Sequence, residues 1–181
     1  MPAPPPASRE TMSSSPLTIT AFDGGNALSE FRARSLLKRL QSADATVVGV
    51  AARYVHWVAT AEPMGRVSHD KLSALLSYGD AAAAQQPGDL IVVMPRLGTV
   101  SPWASKATDI AHNCGAELRP VERVTEFHLQ RKGGLLKGPK PLLPAQRDAL
   151  AAELHDRMTE TVAFERDAAR AQHADHAEQV G

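Results

Sequence analysis

LIVVMPRLGTVSPWASKATDIAHNCG, residues 90–115, is the stretch of sequence that decides the fold. Five apolar residues open it and Pro95 ends them, a pattern typical of a buried strand. Ser101 and Pro102 then suit the N-cap and the first position of a helix. The apolar residues that follow are spaced as on one helical face: Trp103, Ala107, Ile110, Ala111 and Cys114. Gly115 ends this face. The stretch therefore predicts a strand, a loop and an amphipathic helix.

The loop between this strand and helix carries polar side chains near a helix N-terminus, where free backbone N–H groups are a usual place to hold an anion. The candidate ligand-binding residues are Arg96, Thr99, Ser101, Ser105 and Lys106. The alternative is an ordinary connection whose hydroxyls only cap the helix. The residues alone favour that alternative, because no Walker or Rossmann glycine pattern occurs here.

Composition limits the class of protein. A chain of 181 residues holds one domain with a proper core, or one domain with an appendage. Lys+Arg and Asp+Glu are 20 each, which argues against a nucleic-acid or membrane-surface protein. A single cysteine excludes an internal disulfide framework. With no apolar signal region and no membrane-length apolar stretch, we expect a soluble, cytoplasmic protein.

The spacing of the predicted elements repeats. A strand, a capped helix and a second strand begin near Leu17, Ser29 and Thr46. The same order begins again near residues 90, 101 and 119, at offsets of about 73 residues. The second strand, 46–58, is apolar on both faces, so we expect it to be central in the sheet.

These elements predict an α/β fold of the α+β type. We expect a two-layer sandwich in which helices cover one face of a mixed or antiparallel sheet, built from two duplicated βαβ-like halves and followed by a long linker helix. The expected organisation is a disordered tail at 1–16, an α/β domain at 17–130, a linker loop at 131–144 and the start of a linker domain at 145–181.

The long linker helix is expected from about Ala145 onward. An apolar stripe supports it: Leu150, Leu154, Met158 and Val162. We expect this stripe to be exposed and to favour self-association. Beyond Arg166 we expect a frayed tail without an apolar stripe.

No catalytic constellation is found, and each remaining polar candidate has a simpler structural explanation. We interpret Cys114 as a buried thiol, His56 as a core histidine and Arg53 as a cation at the sheet rim. A metal site at His173 and His176 is not expected, because no further ligand is evident. Two sets of charged residues are interpreted as solvated helix faces: Arg32, Arg34, Lys38 and Arg39, and Glu153, Asp156 and Glu160.

Three segments carry a resemblance to a known family. They are residues 95–115, PRLGTVSPWASKATDIAHNCG, residues 27–32, ALSEFR, and residues 154–162, LHDRMTETV. In residue types, order and spacing these segments resemble the large, single-chain phosphoribosylformylglycinamidine synthase, also called formylglycinamide ribonucleotide amidotransferase. The resemblance covers roughly residues 17–166 and implies the N-terminal domain and the start of the linker after it.

That family makes formylglycinamidine ribonucleotide from formylglycinamide ribonucleotide, glutamine and ATP. The resemblance implies that ATP and Mg bind in a later synthetase domain, and that a glutaminase domain carries the nucleophilic cysteine. Cys114 does not match that nucleophile, and we expect this chain to bind no cofactor itself and to be inactive alone.

The expected role is structural. The domain would dock on the synthetase and glutaminase domains and would border the ribonucleotide cleft through Arg96, Thr99, Ser101, Ser105 and Lys106. The alternative is a free-standing, non-catalytic binding or regulatory module.

Overall fold

The structure is a computed structural model, and it describes residues 17–82, 88–99, 101, 103–105, 107, 109, 121–133 and 138–180. Its strands are β1 (Thr18–Asn26), β2 (Val47–Thr60), β3 (Asp89–Pro95), β4 (Val121–Arg131) and β5 (Glu160–Ala163). Its helices are α1 (Glu30–Ala43), α2 (Arg66–Leu76), α3 (Pro144–Leu154) and α4 (Arg166–Val180). Residues 103–105, 107 and 109 are also helical. The predicted disordered tail, 1–16, lies outside the described residues, as do Lys106 and Cys114.

All five strands form one antiparallel sheet in the order β1-β2-β4-β3-β5. This confirms the predicted α+β class with an antiparallel sheet. β2 lies between β1 and β4, as its two apolar faces predict. β1 continues to Asn26 through an irregularity in its pairing with β2 between Asp23 and Asn26.

The sheet order is the one that two equivalent halves require. β1 pairs with β2 in the first half, β3 pairs with β4 in the second, and β2 and β4 join the halves. In this central pair Arg53 lies opposite Glu126, 73 residues further along the chain. This separation equals the offset of the sequence repeat, so the two halves meet at positions that correspond in the repeat.

The two faces of the sheet carry different helices. On the front face, defined by Tyr54, Arg123 and Phe127, α1 and α3 pack against each other and over one half of the sheet. α2 covers the other end of this face through Leu72 and Leu76. These helices give the two-layer arrangement that the sequence predicts.

The back face, defined by Trp57, Val124 and Glu126, is covered by α4. Ala169 of α4 packs with Trp57, Val92 and Val124, and the ring of His173 lies 5.3 Å from that of Trp57. The prediction of a frayed tail beyond Arg166 is therefore wrong. The buried face of α4 consists of two alanines and one histidine at four-residue spacing: Ala169, His173 and Ala177. A search for large apolar side chains overlooks such a face.

The expected long helix from 145 to 162 is also wrong, because the chain turns after Leu154 and returns to the sheet as β5. In the turn, the carboxylate of Asp156 accepts the Met158 backbone N–H at 2.8 Å, and the Glu160 carboxylate accepts that of Asp156 at 2.8 Å. Such side-chain bonds compete with helical ones. Asp156 is thus a turn residue and Glu160 is the first residue of β5, so neither belongs to a solvated helix face.

The apolar stripe predicted on that helix is mostly covered. Leu150 is fully buried, and Leu154 and Val162 pack against the same front-face core. Met158 alone of the four is largely exposed, at 80%. The reason for expecting self-association through this stripe is therefore removed. Among the described helices, none combines the length and the apolar character needed to cross a bilayer.

Candidate functional site

The front face holds an open cavity of about 450 Å³, which we call the front cleft. It lies between the N-terminal end of α1 and the helical residues that begin at Trp103. Its polar and aromatic lining includes Arg32, Tyr54, Ser101, Trp103, Arg123 and Glu160. The volume is in the range of small-molecule sites in proteins.

Arg123 forms part of the cleft floor. Its guanidinium carbon lies 4.1 Å from the ring centroid of Tyr54 and 5.1 Å from that of Trp103. One guanidinium nitrogen donates to the Tyr78 hydroxyl at 3.3 Å. Two ring contacts and one hydrogen bond therefore fix the plane of this guanidinium.

His56 lies directly opposite Arg123 in the β2–β4 pair, on the same face of the sheet, and is fully buried. Its Nε2 is 3.0 Å from the Tyr78 hydroxyl, and its ring centroid is 4.5 Å from that of Trp103. Burial, helped by the positive charge of Arg123, lowers the pKa of His56 from 6.5 to about 4, so the ring is neutral at pH 7. This confirms the interpretation of His56 as a core histidine. Gly24 makes room for the ring, because a side chain at that position would overlap the imidazole.

The structure places Arg96 and Thr99 in a tight turn beside the loop that precedes β5. The Arg96 backbone N–H donates to the Thr159 carbonyl at 2.9 Å, and its guanidinium donates to the Arg157 carbonyl at 2.9 Å. The Thr99 hydroxyl donates to the Arg96 carbonyl at 2.6 Å. Both residues line a second open cavity of about 510 Å³, which also includes Met158.

Ser101 lies on the front cleft and has two structural partners. Its hydroxyl oxygen accepts the Ala104 backbone N–H at 3.0 Å, which confirms the predicted N-cap. The same hydroxyl donates to the Glu122 carboxylate at 3.0 Å. Burial raises the pKa of Glu122, while the hydrogen bonds from the Arg123 backbone N–H and Ser101 oppose that rise.

The four predicted ligand-binding residues that the structure describes thus do not meet in one place. Arg96 and Thr99 line the second cavity, Ser101 lines the front cleft, and Ser105 is exposed. Lys106 lies outside the described residues. Whether any of them binds a ligand stays a prediction.

Two arginines of the front cleft were not among the predicted site residues. Arg32 was interpreted as part of a solvated helix face, yet it lines the cleft. Arg123 shares one face of β4 with Val121, Thr125 and Phe127. A cation on an otherwise mainly apolar strand face is a sequence signal that points to it.

The back face carries a separate cluster of charged side chains. Glu126, with a side chain only 3% exposed, accepts hydrogen bonds from Arg53 at 3.0 and 3.1 Å and from Arg166 at 2.9 and 3.0 Å. Arg53 also bonds Asp23 at 2.9 Å. Arg53 is therefore part of an ion-pair network centred on Glu126 rather than a simple rim cation. In the described ranges no three His, Cys, Asp or Glu side chains are placed to hold a metal ion.

Fold and site together define a class: an α+β domain of two equivalent halves with a polar and aromatic cleft on the front face of the shared sheet. The family model described as formylglycinamide ribonucleotide amidotransferase N-terminal matches residues 53–173, well over half of the chain. The chain belongs to this family, as its resemblance in sequence implies. It is therefore part of an enzyme of purine biosynthesis.

Proposed function

We propose that this chain is a non-catalytic domain of the synthase, with a structural role and a surface that borders the ribonucleotide site. The chemistry belongs to other domains: ATP and Mg to the synthetase domain, and glutamine hydrolysis to the glutaminase domain. The whole enzyme would then act as an ATP-dependent C–N ligase in the cytoplasm, with glutamine as amide donor. The family match to an N-terminal domain supports this division of labour.

The observation that carries the cleft role is the position of Ser101. This predicted residue lies on the front cleft beside Arg123, at the entry to the segment that also contains Ser105 and Lys106. Hydroxyls and a lysine that follow closely in the sequence near a helix N-terminus suit a phosphate. Arg96 and Thr99 would border the same substrate from the neighbouring cavity.

The proposed partners are the synthetase and glutaminase domains. Large apolar side chains on the surface of this chain support docking of that kind, because a partner would remove them from water. The most exposed are Phe31 at 77%, Val67 at 70%, Leu143 at 65% and Met158 at 80%.

The test uses the full-length enzyme with Lys106→Ala. A charge-assisted phosphate contact contributes roughly 1.5–3 kcal/mol, so the KM for formylglycinamide ribonucleotide should rise about tenfold or more. Glutamine hydrolysis and thermal stability should stay unchanged. Lys38→Ala, a lysine on the exposed side of α1, is the matched control and should have wild-type kinetics.

A different outcome for Lys106→Ala would contradict the proposed phosphate contact. Unchanged kinetics with a lowered melting temperature would assign the segment to folding alone. A free-standing regulatory module, the alternative, would leave synthase activity intact when residues 17–180 are deleted.

A further inference from the structure

We infer that the front cleft is itself a binding site for a small phosphate monoester, whose oxyanion is held by Arg32 and Arg123 and whose hydroxyl groups face Glu160. This rests on the proposed function and deepens it, because it names the part of the ligand that the front cleft would hold and assigns it to residues outside the 96–106 segment.

Most of the N–H donors of the Arg123 guanidinium have no acceptor among the described residues. A guanidinium carries five N–H donors in a planar fork, and the contact to Tyr78 uses one of them. Within the part of the chain that the structure describes, no carboxylate forms an ion pair with Arg123. The rings of Tyr54 and Trp103 contact the guanidinium without accepting its remaining N–H groups, and such a planar fork of donors is the geometry that binds oxyanions.

Arg32 supplies the second cation. It lies in the first turn of α1, is exposed, and lines the cleft from the wall beside Leu28. The described residues offer it no salt-bridge partner either. Two guanidiniums on one cleft leave a local positive charge that a dianionic phosphate neutralises better than a carboxylate does.

Glu160 indicates which groups the ligand carries besides its phosphate. One of its carboxylate oxygens accepts the Asp156 backbone N–H at 2.8 Å, which holds the side chain at the β5 end of the cleft. A carboxylate accepts hydrogen bonds from hydroxyls but repels a second phosphate. The cleft therefore suits a phosphorylated polyol or sugar better than a pyrophosphate or a polyphosphate.

The arginine on the floor is fixed before the ligand arrives. The Tyr78 hydroxyl, to which Arg123 donates, is also held by the buried, neutral ring of His56, the cross-strand neighbour of Arg123. A rigid donor loses little conformational entropy on binding, so even a small ligand gains measurable affinity.

The experiment is isothermal titration calorimetry of the 181-residue chain with ribose 5-phosphate, inorganic phosphate and ribose. We expect the two phosphates to bind and ribose not to bind. Arg32→Ala should weaken ribose 5-phosphate binding about tenfold or more, as loss of a charged hydrogen bond predicts. Arg34→Ala, two residues along the same exposed helix and outside the cleft lining, is the matched control and should bind as wild type.

Two further variants sharpen the assignment. Arg123→Lys keeps the charge but loses the planar fork, and we expect it to bind ribose 5-phosphate about tenfold more weakly. Glu160→Gln should reduce the preference for ribose 5-phosphate over inorganic phosphate. Failure of the wild-type chain to bind at millimolar ligand would overturn the inference, as would equal losses in Arg32→Ala and Arg34→Ala. The kinetic test of Lys106 is independent of both outcomes.

Discussion

Glu126→Gln is the change that most directly tests what holds the two halves and α4 together. The Glu126 carboxylate is buried on β4, and it receives Arg53 from β2 and Arg166 from α4. Burial alone would raise the pKa of Glu126, but the neighbouring His128 ring and the Arg166 and Arg53 guanidiniums lower it far below its ordinary value. The side chain is therefore charged throughout the pH range in which proteins are usually studied.

The size of the effect follows from the exposure of the three side chains. Removing one partner of a fully buried ion pair costs about 3–5 kcal/mol, because a charge is left buried without compensation. Here the carboxylate is 3% exposed, but Arg53 and Arg166 are 23% and 37% exposed, so water screens part of the loss. We therefore expect Glu126→Gln to lower the free energy of unfolding by about 2–3 kcal/mol, or the Tm by roughly 4–12 °C.

The assay is urea denaturation at pH 7, followed by tryptophan fluorescence. Trp57 is a suitable reporter because it is buried on the same face and contacts His173 of α4. Glu62→Gln makes the same chemical change at an exposed loop position and should leave the midpoint within about 0.5 kcal/mol of wild type. If Glu126→Gln did the same, the network would contribute nothing and our account of the back face would be refuted.

Three other predictions follow from the same contacts. The pKa of His56 is about 4 in the folded chain and 6.5 ordinarily, so the unfolded chain binds more protons between these two pH values. The free energy of unfolding should therefore fall, by roughly 3 kcal/mol at most, as the pH drops through this window. Urea midpoints measured at pH 7 and pH 4.5 should differ less for His56→Gln than for wild type. Gly24→Ala should cost about 1–3 kcal/mol in the same assay, because the new methyl group overlaps the His56 ring, whereas Gly138→Ala, with open space around it, should be neutral. Purified chain 1–181 should make no formylglycinamidine ribonucleotide from substrate, ATP and glutamine in a coupled assay, and turnover above background would contradict the proposed division of labour.

Local chemistry predicted those parts of the fold that depend on neighbouring residues. The Ser29 and Ser101 caps form because a hydroxyl reaches a backbone N–H three residues ahead, a contact that the sequence displays directly. Strand β2 was predicted as central because both of its faces are apolar. The order of the strands depends on contacts between distant residues, and only the 73-residue repeat gave a hint of it.

The predicted long helix at residues 145–162 was wrong because helical periodicity carries no information about such contacts. Apolar residues at 150, 154, 158 and 162 satisfy the period of a helix, and nothing in that period records a turn between them. The turn comes from polar side chains, since Asp156 bonds the Met158 backbone N–H and Glu160 bonds that of Asp156. The pairing of β5 with β3 then gives those apolar residues a different environment.

The candidate site is the feature that could least be predicted from residues adjacent in the sequence. The predicted ligand residues are neighbours in the sequence, whereas the front cleft combines residues from α1, β2, β4 and the start of β5. Arg32 and Arg123 are far apart in the chain, and no local pattern connects them. The sequence could suggest that a polar segment borders a ligand, but the surface it borders exists only in the assembled sheet.

The register of β2 and β4 links the two faces of the molecule. Residues alternate across a strand, so Glu126 on the back and Arg123 on the front keep their places only while Arg53 stays opposite Glu126. A slip of one residue would turn the guanidinium of Arg123 to the back and the carboxylate of Glu126 into the front cleft. The ion pairs to Arg53 oppose that slip, because it would leave a buried charge without a partner. The network on the back face therefore maintains the chemistry of the cleft on the front, although no atom of Glu126 lines it.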